Sequence, residues 1–316
     1  MFNFSILKSE NNLIIDLPKN LRFTLKFLIN MNRVIYRALN IPNIKKITVR
    51  CPNTIDYDKM TQAYLINVLE KINNTTCNKV FINKNFKYLI RTKVQKKDGS
   101  LYHKDTNIAA LIKDRNLEYY VFSGKENTEK PIEHISQLLA QSMPSFEPDK
   151  IKGFLNTTIG EIFSNSNNHS DQDKVYFISS VEIENNQDII LYVSIIDYGT
   201  TIAANVRKYF NNQNISGDKC IDWAVQPQHT TRQGSGGHGL PMLIDYLIKT
   251  KGILYIFSGD AYYAVNKDGE KYCKSIPDGV FLGTSVAFKV KLNNNAFILL
   301  CNEDNSKIDS ITLDDI

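Results

Sequence analysis

Four residues whose types and spacing could do chemistry fall within one short stretch: Gly160 to Ser170 reads GEIFSNSNNHS and carries Glu161, Asn165, Asn168 and His169. At 3.6 residues per turn, positions i, i+4, i+7 and i+8 share one face of a helix. Phe154, Leu155, Ile159, Ile162 and Phe163 recur beside them as an apolar stripe, so the helix would rest on a core with its polar face at the border. A carboxylate and an amide held at that edge suit a nucleotide and metal site; the same residues also suit a solvated, Asn-rich helix end.

Further along, Ile189 to Thr201 (IILYVSIIDYGTT) is an apolar, β-branched run that delivers Asp197 to a turn containing Gly199. An aspartate at a strand end beside a glycine can bond a base or sugar, because glycine lets the backbone approach a flat ligand; Asp-x-Gly is equally ordinary turn chemistry. A polar stretch, Asn211 to Gln233, leads into GSGGHGLPMLIDYLIKTKG, where Gly234, Gly236, Gly237, His238 and Gly239 precede the helical spacing of Leu240, Met242, Leu243, Tyr246 and Leu247. A glycine loop opening onto a helix N-terminus offers free N–H groups to a phosphate; it also reads as a flexible linker. No Gly-Lys-Ser/Thr follows and no strand directly precedes it, so it is neither a Walker A loop nor a dinucleotide fingerprint. Two strand-like segments, ILYIFSGDAYYAV and GVFLGTSVAFKVKL, close the chain's patterned part, the second with Gly283 and Thr284.

Glu-x-x-x-Asn on a helix, Asp-x-Gly after a strand, a lid, a glycine loop before a helix and a final Gly-Thr strand, in that order, resemble the GHKL ATPases (histidine kinase-like, Bergerat fold). The resemblance implies an α/β fold, an α+β two-layer sandwich, over residues 126–295, with ATP and Mg2+ as ligands. It implies that Asn165 ligates Mg2+ on the phosphates, that Asp197 accepts a hydrogen bond from the adenine amino group, and that Gly199 lines the adenine pocket. Gly237, Gly239 and Leu240, with Gly236 and His238 in the same loop, would sit under the phosphates, Asn168 and His169 would border the nucleotide, and Thr284 would reach the base through water. Glu161 matches the group that activates the attacking water in hydrolytic members. The segment CIDWAVQPQHTTRQGSGGHGL is similar to bacterial ATP-binding proteins in which a short Trp-Ala helix and a Thr-Thr-Arg stretch precede the glycines; Arg232 would clamp the γ-phosphate, and Asn211 to Gln233, with one short apolar patch at Ile221, Trp223 and Ala224, would order over bound ATP. Thr201 departs from the pattern, standing where the family carries a second glycine, and His238 stands where leucine is common.

The elements around these motifs point to two domains, as 316 residues with 42% hydrophobic content allow. In the smaller N-terminal α/β domain, 1–122, the runs LIIDL, IKKITVR and NKVFI alternate with helical patterns at Leu21 to Leu39 and Met60 to Ile72, a βαβαβ order that weakly resembles STAS-type regulatory domains. Residues 122–130 read as a linker, Pro131 to Ser142 as a helix, and 296–316 as a tail. No signal peptide and no run of about 18 apolar residues stands out, so no membrane association is expected. Five scattered cysteines without C-x-x-C spacing read as reduced thiols of a cytoplasmic protein. A formal net charge of +5 with dispersed basic residues argues against a nucleic-acid footprint.

The functional expectation is an ATPase acting as a nucleotide-dependent switch in bacterial signalling or defence, with a partner protein engaged through the N-terminal domain; a homodimer is compatible with it. The alternatives are a serine/threonine kinase of the anti-sigma kind, which would use the same Glu161 on a hydroxyl, and a non-catalytic ATP-binding module. The substrate-histidine box of sensor kinases is missing around His134, the one histidine on the expected helix.

Overall fold

In a computed structural model, the described residues are 3–7, 12–40, 46–50, 56–75, 79–82, 117–123, 132–133, 135–137, 155–169, 174–184, 188–231, 236–276 and 281–292. The chain forms two compact units, Met1–Tyr120 with Ile276–Phe281, and Val121–Ser275 with Leu282–Ile316. The division falls inside a strand, β7 (Leu117–Ser123), slightly before the expected 122–126 boundary. The rest of the expected linker and the tail 296–316 lie outside the described residues; of the helix expected over Pro131 to Ser142, residues 132–133 and 135–137 are described and are helical.

In the first unit, β1 (Asn3–Leu7), β2 (Asn12–Asp16), β4 (Lys46–Arg50) and β6 (Lys79–Ile82) form one sheet in that order, β2, β4 and β6 parallel and β1 antiparallel to β2. Helices Leu25–Asn40 and Lys59–Thr75 connect the parallel strands and pack on each other, which is the βαβαβ order expected. Leu13, Ile14, Ile15, Ile47 and Val49 of the strands and Leu28, Met31, Val34, Tyr64 and Val68 of the helices are all buried. The first helix starts four residues later than its apolar pattern. Leu21 belongs instead to a short strand, β3 (Asn20–Leu21), paired with β5 (Asp56–Tyr57), and Thr24 Oγ1 accepts from Phe27 N at 3.2 Å to open the helix.

The second unit is built on a mixed α/β arrangement around six antiparallel strands, ordered β12 (Lys271–Ser275), β11 (Ala261–Val265), β10 (Ile253–Gly259), β13 (Phe281–Leu292), β9 (Asp188–Asp197) and β8 (Lys174–Glu184), with β7 beyond β8. Residues 190–197 of β9 are buried without a break, matching its unalternated apolar run. Helix Glu161–His169 packs on β8 and β9, and helix Gly239–Lys249 on β10 and β11. Immediately before Glu161, residues Asn156–Gly160 form a π turn, a widened turn that resets the phase of the helix and brings Thr158 and Ile159 inward.

The β13–β9 pairing sets Thr284 opposite Asp197. The chains come so close there that a Cβ on Gly283, whose φ is +125°, would lie 2.1 Å from the Asp197 carbonyl oxygen. Gly283→Ala should therefore lower unfolding free energy by about 3 kcal/mol or more, from overpacking plus backbone strain. Gly160→Ala is the control: its Cβ would meet only Ile132 Cδ1 at 3.7 Å, and alanine in a helix should be neutral or gain up to about 1 kcal/mol. Denaturant unfolding of the two variants checks the difference.

Candidate functional site

Asp197 ends β9 with its side chain only 3% exposed. Gly199 N donates to its Oδ1 at 3.0 Å, and Ser166 and the Thr284 amide also bond it. These bonds favour the charged form, yet burial outweighs them and pushes the carboxyl up to about 6; among the described residues no basic side chain offsets the burial. Thr284 sits beside it in a closed hydroxyl network. Ser258 Oγ accepts from Ile202 N at 2.8 Å, donates to Gly283 O at 3.2 Å, and lies 2.8 Å from Thr284 Oγ1. A hydroxyl has one proton to give. Ser258 can place its one proton on Gly283 O or on Thr284 Oγ1, and either hydroxyl of the Ser258–Thr284 pair can be the donor. Asp197 and Thr284 together give the cavity a polar wall.

Glu161, also on the cavity wall, gathers a cluster of donors. Glu161 Oε1 accepts from Gly237 N at 2.9 Å and His238 N at 3.3 Å, and Oε2 from Gly239 N at 2.5 Å. These amides open helix Gly239–Lys249, which has no side-chain cap of its own and no acidic residue in its first turn. Gly237 has φ +79° and a Cβ there would meet His229 O at 2.5 Å, so glycine is required for the turn.

A folded lid closes the side. Of the expected lid, Asn211 to Gln233, residues 211–231 are described, and they contain the short helix expected at Trp223 and Ala224. Helix Gly217–Ala224 buries Gly217, Cys220 and Ile221, and Cys220 packs with Ala203 and Val206 of helix Ile202–Tyr209. Trp223 stacks on His229, centroids 4.7 Å apart at 20°, and His229 Nδ1 lies 2.7 Å from Trp223 O. Outside the stack, Tyr209 and Phe210, 55% and 47% exposed, pack on the same indole. Thr201, the departure from the expected glycine, is the N-cap of helix Ile202–Tyr209: its φ is −77° and its Oγ1 accepts from Ala204 N at 3.1 Å. That extended backbone needs no glycine.

One cavity of about 110 Å³ joins these parts, room for more than a single trapped water. Glu161, Asn165, Asp197, Gly237, Leu240 and Thr284 all line it. Gly199 and Gly239 act through their amides, on Asp197 and Glu161, and His238 donates its amide while remaining exposed. Gly236 lies near Thr230. Asn168 and His169 close the helix, but their side chains lie outside the described residues, as does all of Arg232. The sequence reading did not single out Ser166, Thr200, Asn205 or Pro241, nor Trp223, His229, Thr230 and Thr231 as wall residues. Ser166 had a signal: it is the one serine on the stripe of Ile159, Ile162 and Phe163. Among the described residues no cluster of three His, Cys, Asp or Glu could cage a metal, and no helix is long and apolar enough to cross a membrane. No known protein family, curated protein or solved structure matches this chain.

Asp197 makes a stability test of the site. Its folded-state value exceeds the ordinary 3.8, so the folded chain binds this proton more tightly than the unfolded chain does. The resulting stabilisation is full below about pH 4 and lost as pH rises through about 6. At pH 7.5 Asp197→Asn should be more stable than the parent by up to about 3 kcal/mol, and its stability should lose the parental slope between those pH values. Denaturant titrations across that range measure both; a variant less stable at pH 7.5 would show that the surrounding donors dominate.

Proposed function

We propose that the second unit binds Mg-ATP as a GHKL-type, two-layer nucleotide-binding domain and serves as a nucleotide-dependent switch. The observation that carries this reading is the lining of the cavity: the buried Asp197 carboxylate with Thr284, Glu161 with the Gly237 backbone it binds, and apolar Ile202, Val206, Leu240 and Val286. An amino-bearing aromatic base joined to an anionic tail is complementary to that set of groups. The Asp197 carboxylate, costly to bury alone, would accept from the exocyclic amino group; that gain offsets its desolvation only when ligand is bound.

Asn165 fits the Mg2+ role, since its carbonyl is a hard oxygen donor on the cavity wall beside Glu161. Mg2+ commonly keeps waters and takes most of its ligands from substrate phosphates, so one or two protein oxygens suffice. The ion would supply charge neutralisation at the phosphates; Asn165 orients the polyphosphate, and Trp223 with His229 excludes water from the side. Glu161 is the candidate base, but three amides hold its carboxylate in this conformation. This engagement favours a second reading, a binding module with little turnover, over a fast hydrolase. A partner protein would read the nucleotide state, with the first unit as its docking domain.

Calorimetry tests the ligand. ATP with Mg2+ should bind, and Asp197→Asn should weaken it by on the order of 1.5 to 3 kcal/mol. Asn165→Ala should remove the dependence of affinity on Mg2+ while leaving adenosine binding intact; equal ATP affinity in all three chains would end the assignment. Trp223 is the only tryptophan and lines the cavity, so ATP should change its emission; an unchanged spectrum at saturating ATP would place the ligand elsewhere.

A further inference from the structure

We propose that the Glu161 carboxylate is an intramolecular anion plug, which holds the glycine-loop donors in the free chain and must be expelled by the phosphate end of the ligand. The proposal rests on the nucleotide reading above and adds a built-in competitor to it. Helix Gly239–Lys249 starts without a local cap, and Pro241 removes one of its orphan donors, which leaves the amides around His238 and Gly239 in need of an anion. Glu161 supplies it from another helix. Both of its oxygens are used, on Gly237, His238 and Gly239. The fit is close: a Cβ on Gly239 would come within 2.8 Å of Glu161 Cβ and 2.9 Å of Oε2. Three donors filled by one carboxylate cannot also serve a phosphate, and two anions at that distance repel. Glu161 and Gly237 both line the cavity floored by Asp197, so the displacement would occur inside the ligand site. The ligand's base end does not contest these donors; only its anionic end does.

The plug therefore sets affinity according to the phosphate group alone. With the full chain, inorganic pyrophosphate and adenosine serve as separate probes, titrated calorimetrically into the parent, Glu161→Gln and Glu161→Ala. Pyrophosphate should bind both variants about tenfold or more tightly than the parent, with adenosine affinity unchanged. Hydrogen exchange of the Gly237 to Gly239 amides should be faster in both ligand-free variants. In the parent, the Glu161 carboxyl 13C resonance should shift when pyrophosphate is added, a readout that does not depend on either variant folding. Pyrophosphate affinity in the variants equal to or below the parental value, or a Glu161 resonance that stays in place, would overturn the plug. If pyrophosphate behaves as stated while adenosine binds none of the three chains, the plug stands and the purine reading falls.

Discussion

The second unit is arranged around a carboxylate sealed at the end of a central strand with no described cation beside it. Asp197 is flanked in register by Val175 of β8 and Thr284 of β13, so two neighbouring strands seal it from water. Sealing requires Gly283, since any side chain there would strike the Asp197 backbone, and it requires Ser166 and Gly199 as donors on the remaining oxygens. Ser258 ties Thr284, Gly283 and the first turn of helix Ile202–Tyr209 into the same region. A structure selected for stability alone would gain by replacing such a group with a neutral one. Under the proposed function, ligand recognition is the physical reason for its position in a cavity.

Glu161 performs a different task. A helix N-terminus without a local cap needs an acceptor, and here the acceptor comes from another part of the fold. The bonds from Gly237, His238 and Gly239 join helix Glu161–His169 to the end of the lid, so the glycine loop is held by an ion that resembles its proposed ligand in charge. The lid is anchored by Cys220 and Ile221 beneath it, by the Trp223–His229 stack at the cavity wall, and by the bond from Gln228 N to Gly237 O at 3.1 Å, which ties it to the glycine loop.

Much of this was readable from the chain. The helical spacing of Ile159, Ile162 and Phe163 sufficed to find the helix that carries Glu161 and Asn165, because burial of an apolar stripe is a local pattern. The β-branched run into Asp197, the glycines before Leu240 and the three strands of the first unit were legible for the same reason. The short lid helix at Trp223 and Ala224 was legible too; less legible was its packing through Cys220 onto Ala203 and Val206, a contact between separate segments. The strand Asn20–Leu21 was hidden as well, since its partner Tyr57 lies far along the chain.

The sequence by itself determined residue types and periodicities: which segments bury apolar faces, where a carboxylate ends a strand, where backbone freedom precedes a helix. Only the tertiary structure decided which charges meet which partners. That Asp197 loses its water with no described cation beside it, that Thr284 joins Ser258 in one hydroxyl network, and that Glu161 caps a helix 78 residues away all depend on approach between distant segments. Desolvation and hydrogen-bond geometry are properties of that approach, and one-dimensional spacing carries no record of either.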